Sequence, residues 1–261
     1  MAAFPSLFVS HGAPNLLLQD VPAHEFLAGY GETLGRPRAI VTISAHFEAE
    51  RPTVGGGGYP PTIHDFGGFE PELYQVYYRA PGDPELARDV ANLLKLGSLD
   101  AAVDRARGFD HGTWVPLILL YPDAGIPVVP LSICPDEGPA FHFEMGRSLK
   151  PLRDDDVLIM GSGSLTHNLE EFFKGYYRLQ SKPPDWVRPF ADWMNDRVEA
   201  GAIDDLLNYR SIAPFAEQNH PTEEHLLPFF VALGAADGAR GERVHTSHTY
   251  GVLAMDSFCF G

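Results

Sequence analysis

Three short apolar runs in this chain each lead into a histidine, and that arrangement constrains the fold more than any other feature. Leu7-Phe8-Val9-Ser10 runs into His11, and Ala39 to Ala45 runs into His46. Val157 to Met160 breaks into Gly161-Ser162-Gly163-Ser164 and delivers His167. A short apolar run bounded by glycines or turn residues reads as a buried strand. Open α/β sheets bind their ligands just beyond the carboxyl ends of such strands. The pattern therefore predicts a sheet that gathers several imidazoles along one edge.

The rest of the chain fits that sheet. Phe4 to Ser10, Ala39 to Ser44, Val128 to Ile133, Val157 to Ser162 and Tyr250 to Phe258 read as strands. Between and after them, helical spacing predicts helices over Ala23–Leu34, Pro84–Leu96, Thr113–Leu120, Pro139–Leu152, Leu169–Gly175, Trp186–Ala200, Ile203–Tyr209 and Leu226–Ala236. Pro84 suits a first helical turn. Thr222, after Pro221, is a candidate N-cap for the last long helix. Arg51 to Phe69, rich in glycine and proline, reads as a long loop of the kind that is often functional. Strands alternating with helices predict an α/β fold with a central, largely parallel sheet flanked by helices. No repeat or linker divides it, so residues 1–261 read as one domain.

Charge and composition narrow the partners. A formal net charge of −16 argues against nucleic acid and against an anionic membrane surface, since both call for a basic face. No apolar run reaches the ~18 residues of a membrane span, and no basic, apolar leader marks a signal peptide. The only cysteines, Cys134 and Cys259, make no disulfide framework. They suggest a reducing compartment, and a cytoplasmic location is expected. Nothing in the sequence sets an oligomeric state.

Eleven histidines is a high count, and their placement matters more than their number. His11, His46 and His167 arrive from strand ends, and His225 from the start of a helix. Neutral imidazole is the commonest metal ligand and suits zinc, iron or copper. One histidine at a strand end is ordinarily a satisfied polar group; four converging ones make a candidate metal site. The spacing matches neither HExxH nor CxxC. His111, in Asp110-His111-Gly112, is a candidate acid, base or hydrogen-bond donor; a loop histidine capping a turn is the structural alternative. His64 lies in the long loop and is expected to line the pocket. Glu223 and Glu224 are candidate carboxylate ligands or helix-dipole partners. His24, His142, His245 and His248 read as structural or surface residues. The Gly161–Ser164 stretch lacks a Walker lysine, GxGxxG spacing and the last glycine of a nucleophile elbow, so it is neither a phosphate cradle nor a hydrolase elbow.

Taken together, these stretches resemble the class III extradiol ring-cleaving dioxygenases, in the DOPA-dioxygenase-like branch. The resemblance rests on Ser10-His11-Gly12-Ala13-Pro14, Ser44-Ala45-His46, His64-Asp65-Phe66-Gly67-Gly68-Phe69 and Glu72-Leu73-Tyr74 with Tyr78-Arg79-Ala80-Pro81-Gly82. It continues through Asp110-His111-Gly112-Thr113-Trp114-Val115-Pro116, Gly161 to Asn168, and His220-Pro221 with Glu224-His225-Leu226-Leu227-Pro228. These run in order over nearly the whole chain. The resemblance implies a mononuclear non-haem Fe(2+) site that opens a catechol ring with O2 beside its hydroxyls, on a DOPA-like or related catecholic substrate. It implies that His11 and His46 are metal ligands and that His225 stands where protocatechuate-type members carry a glutamate. It implies that His167 is the active-site base and, in a resting form, a metal ligand, and that His111 works near the oxygen and the substrate. An all-histidine set also suits Zn(2+). The rival functions are a non-catalytic or zinc-dependent metal-binding protein on the same scaffold and a zinc hydrolase, the latter lacking a glutamate placed as in HExxH.

Overall fold

A computed structural model describes residues 3–261. The strands are β1 (Ser6–Ser10), β2 (Ala39–Glu48), β3 (Thr53–Gly55), β4 (Ala102–Asp104), β5 (Val128–Ile133), β6 (Val157–Gly163), β7 (Gly241–His245), β8 (His248–Thr249), β9 (Leu253–Ala254) and β10 (Ser257–Phe260). Eight of them form one sheet in the order β4-β3-β5-β2-β6-β1-β10-β7, and β8 pairs with β9 apart from it. The middle of the sheet, β5-β2-β6-β1, is parallel throughout. Antiparallel β10 and β7 extend the β1 side.

The continuous apolar content of the middle strands follows from burial on both faces. Val41, Ile43, Val157, Ile159, Val129 and Leu131 pack in one core cluster with Leu86, Val90 and Leu94 of the helix Pro84–Leu96. Ile40, Val128, Leu158 and Met160, at alternate positions, pack in the other, with Leu27, Trp114 and Phe190 from helices on that face. Alternation along each strand thus supplies two cores from one run of residues. The Asp83 carboxylate caps the helix Pro84–Leu96 by accepting from the Glu85 and Leu86 amides, each at 3.0 Å, with Pro84 in the first turn as expected. No helix among the described residues is long and apolar enough to cross a membrane.

Several elements differ from their sequence reading. β2 runs on to Glu48, so His46 lies inside the strand rather than past it. The register with β5 shifts between Ile43 and Glu48, an irregularity of the kind that re-aims a side chain at a sheet's end. The stretch 51–69 holds β3, a strand too short to show a period, between β4 and β5. Tyr250 to Phe258 is not one strand but β9 and β10. β7, with the polar sequence GERVH, is an edge strand without the apolar alternation that would mark it. The helix expected to start after Thr222 begins at Leu227, and no side chain caps it. Pro228 at its first turn has no amide to leave unpaired, which favours a start at that point over an earlier one. The helix expected over Pro139–Leu152 ends at Leu149 and tightens into a 3-10 turn over Lys150–Asp155, because Pro151 cannot supply the next helical amide.

Candidate metal centre

The histidines collect where β1, β2 and β6 end. His11 follows β1, His46 lies near the end of β2, and His111 is the first residue of the helix His111–Leu120. Ring centroids of His11 lie 5.0 Å from His46, 5.4 Å from His111 and 5.6 Å from His225. His46 and His111 are 3.9 Å apart. His167 stacks on His225 at 3.4 Å, with the planes 12° from parallel. The donor atoms of His11, His46 and His111 lie within 4.8 Å of one another, and those of His167, Glu224 and His225 form a second such group.

The start of the helix that carries His111 is fixed by Asp110, whose Oδ1 accepts from the Thr113 amide at 3.0 Å and from the Ser44 hydroxyl at 2.6 Å. Arg107 pairs with the other carboxylate oxygen and donates to the His46 carbonyl at 3.2 Å. One buried carboxylate therefore holds the end of β2 against the helix N-terminus. Gly112 permits the approach: a Cβ there would lie 2.3 Å from Ser44 Oγ and 3.0 Å from the His46 ring.

A proline inside the same helix sets a proton position. Pro116 has no amide hydrogen, so the Gly112 carbonyl lacks its helical donor. The Ser162 hydroxyl supplies one instead. With its hydrogen committed, Ser162 Oγ can only accept from His11 Nδ1, 3.0 Å away. His11 is thereby held with Nδ1 protonated and the Nε2 lone pair free. Two carboxylates lock two more rings in the same way. Asp65 Oδ2 accepts from His111 Nδ1 at 3.0 Å, while its other oxygen accepts from the His111 amide at 2.9 Å. Glu224 Oε1 accepts from His225 Nδ1 at 3.0 Å. Each ring has its outer nitrogen occupied by an acceptor, the arrangement that orients histidine ligands around metals. The Nε2 atoms of His11 and His46 stand 3.1 Å apart.

His167 and His225 come from two loops that are joined backbone to backbone. The His167 amide donates to the Asn219 carbonyl and the Ser164 amide to the His225 carbonyl, each at 2.9 Å. His220 Nε2 donates to the Leu165 carbonyl at 2.8 Å. Gly163 makes room, since a Cβ there would meet the His225 carbonyl at 2.0 Å. The glycines after β6 thus serve close backbone approach, consistent with the rejection of a phosphate cradle.

Burial, above all, keeps His11, His46, His167 and His225 neutral. Burial first, then the neighbouring imidazoles, hold His11 and His225 well below the ordinary histidine value. Burial likewise lowers His167 to about 4, partly opposed by Glu224. His46 is lowered chiefly by burial and then by His111, with Asp65 opposing. Burial alone would raise Asp65, but the hydrogen bonds and charge of His111 bring it down to about 2, so it is a carboxylate. Neutral imidazoles with inward lone pairs beside fixed carboxylates form a donor set suited to a divalent cation.

All the histidines singled out from the sequence for chemistry, His11, His46, His111, His167 and His225, meet at this one site, on a cavity of about 520 Å³. His64 does not line it, contrary to expectation. Its Nε2 donates to the Val76 carbonyl at 2.9 Å, and its ring packs near Trp114. The next residues, Asp65 and Phe66, face the cavity instead. Asp65 and Ser162 were missed as site residues. No spacing marks either, although Asp65 adjoins a histidine in a glycine-rich loop. His142 is structural as expected: its Nε2 accepts from the Cys134 amide at 3.1 Å.

Comparison with known proteins agrees with this geometry. Residues 8–260 match the model of a family described as the catalytic LigB subunit of aromatic ring-opening dioxygenase. The chain is 38% identical over 260 residues to a 4,5-DOPA dioxygenase extradiol of Beta vulgaris, covering 98% of this chain and 96% of that one. It is 41% identical to a 4,5-DOPA dioxygenase extradiol of Escherichia coli strain K12, over 90% of this chain and 86% of the other. The crystal structure of an uncharacterized Escherichia coli K12 protein, JW3007, superposes with a TM-score of 0.80 at 32% identity, covering 99% and 100% of the two chains.

Proposed function

Since the chain belongs to the LigB family of class III extradiol ring-cleaving dioxygenases, we propose that it opens the ring of a catechol, DOPA-like or related, with O2. The observation that carries this reading is the convergence of five imidazoles on one cavity of about 520 Å³, three of them, His11, His111 and His225, with an outer nitrogen held by an acceptor. We assign His11, His46 and His225 as metal ligands, with His167 as a further ligand in a resting form. We assign His167 and His111 as the catalytic pair. Residues 1–261 act as one catalytic domain, which the central eight-stranded sheet and the spread of site residues from His11 to His225 support.

The metal is proposed to be Fe(2+), which when bound lets a catechol deliver electrons to O2. The chain's own residues handle protons and position. His167, neutral because burial lowers it to about 4, is available as base toward a catechol hydroxyl. Glu224 Oε1 lies 3.8 Å from His167 Nδ1 and favours the imidazolium that results. His111, held by Asp65 at both its amide and its Nδ1, lines the cavity, and its Nε2 can take up a proton released by the catechol and return it to oxygen as the ring opens. Phe66, 5.8 Å from the His111 ring, helps to exclude water. Two unpaired cysteines support a reducing, cytoplasmic setting.

A second reading is favoured by one feature. The donors at His11, His46 and His225 are all imidazole, a set that holds Zn(2+) as readily as iron. On that reading the protein is a zinc-dependent or non-catalytic metal-binding relative. An oxygen electrode decides between them. The Fe(2+)-loaded protein should consume O2 with catechols and form a yellow product. No uptake with any catechol would leave the binding-protein reading.

A further inference from the structure

His220 is fully buried and does not line the cavity. Its ring lies 5.6 Å from that of Phe190 and 6.4 Å from that of Tyr209. Burial, above all, lowers it from 6.5 to about 4, so the ring is neutral and carries one N–H. That hydrogen sits on Nε2, which meets the Leu165 carbonyl at 2.8 Å. Nδ1 is buried and meets no donor among the described residues. One nitrogen is thus desolvated without a partner, a cost that an apolar side chain beside these aromatic rings would not carry. What the imidazole contributes is its one bond to Leu165.

That bond belongs to a ladder. Leu165 lies between β6 and His167, and His220 lies on the stretch that leads to His225. The two stretches are joined by the Asn168 side chain to the Gln218 carbonyl and by the His167 amide to the Asn219 carbonyl. His220 Nε2 to the Leu165 carbonyl follows, and then the Ser164 amide to the His225 carbonyl. The His220 stretch is held in turn from the far side. Arg210 donates to the His220 carbonyl at 2.8 Å, and the Tyr209 hydroxyl to Glu223 Oε1 at 2.8 Å, both from the short helix Tyr209–Ile212. At the cavity end of the ladder the His167 ring stacks on His225 at 3.4 Å, with Glu224 Oε1 3.8 Å from its Nδ1.

We propose that His220 is a positioning residue for His167, setting the ring of the base against His225 through the Leu165 carbonyl, with Arg210 as its outer anchor. The proposal rests on the ring-opening reading for the role of His167 as base, and it deepens that reading. A general base acts only within hydrogen-bond reach of the proton it takes. A displacement of about 1 Å at such a group costs on the order of 10²-fold in rate. The Leu165 carbonyl is two residues from His167, so a donor fixed on it limits how far the base can drift.

The test compares His220→Leu, which fills the space without a donor, with His220→Gln, whose side-chain amide can still donate to the Leu165 carbonyl. With Fe(2+) and a catechol, His220→Leu should lower kcat at least about tenfold while KM changes less than about threefold. His220→Gln should recover most of the rate. Both variants should keep full metal content, since neither removes a ligand. A second readout needs no turnover. In NMR spectra of the zinc-loaded protein, the His167 ring protons lie in the ring current of His225. They should move downfield in His220→Leu and stay in place in His220→Gln. If His220→Leu does not fold, Arg210→Leu takes its place and should move the same signals by a smaller amount. Unmoved His167 signals in the folded variant, equal rate losses in the Leu and Gln variants, or loss of metal overturns the proposal. If the signals move as stated and no form of the protein opens a catechol, ring opening fails while the positioning of His167 by His220 stands.

Discussion

The Nε2 atoms of His11 and His46 lie 3.1 Å apart at the end of the parallel strands. His11 Nδ1 already donates to Ser162, so His11 Nε2 offers a lone pair. Neutral His46 donates to it from Nε2 in one tautomer and offers a second lone pair in the other. Burial disfavours an added proton there, since it holds His11 well below its ordinary value. In the second tautomer a divalent cation is held by both nitrogens with both rings neutral.

His11→Ala and His46→Ala are therefore expected to abolish stoichiometric metal binding and leave the fold intact. Elemental analysis beside circular dichroism measures this. Full metal content in both variants would refute the assigned ligands.

Ser162→Ala should weaken metal binding without removing a ligand. The variant frees His11 to adopt the other tautomer and leaves the Gly112 carbonyl without its donor. Loss of an outer hydrogen bond of this type typically costs about 10–100-fold in metal affinity. A chelator competition titration reads it, and an unchanged dissociation constant would show that the tautomer lock has no effect.

His167→Gln and His111→Gln should each lower turnover by ~10²-fold or more, because a glutamine cannot carry a proton between reacting groups. Affinity for the catechol should change less. Asp65→Asn should follow His111→Gln in direction, since it removes the carboxylate that fixes the His111 ring. Steady-state oxygen uptake measures all three, and near-normal rates in both histidine variants would refute the proton-transfer roles.

Purified protein is expected to carry zinc, which stands above Fe(2+) in the Irving–Williams order at such a donor set. Zinc has no redox chemistry. Ring opening should therefore appear only after zinc is removed and Fe(2+) is restored without air. Zinc-loaded, iron-free protein that cleaves catechols at the rate of the iron form would contradict the proposed oxygenase function.

Stability should decline in mild acid through His142, a group remote from the metal centre. Burial lowers its pKa from 6.5 to about 4. Above the unfolded value neither state binds the proton and the contribution is fully present. As pH falls below that value the unfolded chain takes up the proton first, and stability is lost down to the folded pKa. The loss is on the order of 3 kcal/mol at most. Urea unfolding at about pH 7 and about pH 4 should show a smaller drop for His142→Gln than for the unaltered protein. Equal drops would place the acid sensitivity elsewhere.

Much of this molecule is decided by local sequence. β1, β5 and β6 are apolar over nearly their whole length, and a strand buried on both faces admits little else. His11 and His167 come within a few residues of those strands, so their arrival at one edge is legible from the runs before them. β3 and β7 are not legible, because three residues show no period and a half-exposed edge strand tolerates GERVH. The resemblance named the histidines, but nothing in their spacing says which nitrogen of each ring is free. That depends on Ser162, which is 151 residues from His11, and on Asp65, which is 46 residues from His111. The sequence by itself determined that imidazoles reach one end of a parallel sheet, since strand burial is a property of each run. Only the tertiary structure decided where their lone pairs point, since a hydrogen bond reaches about 3 Å and its partners come from elements distant in the chain.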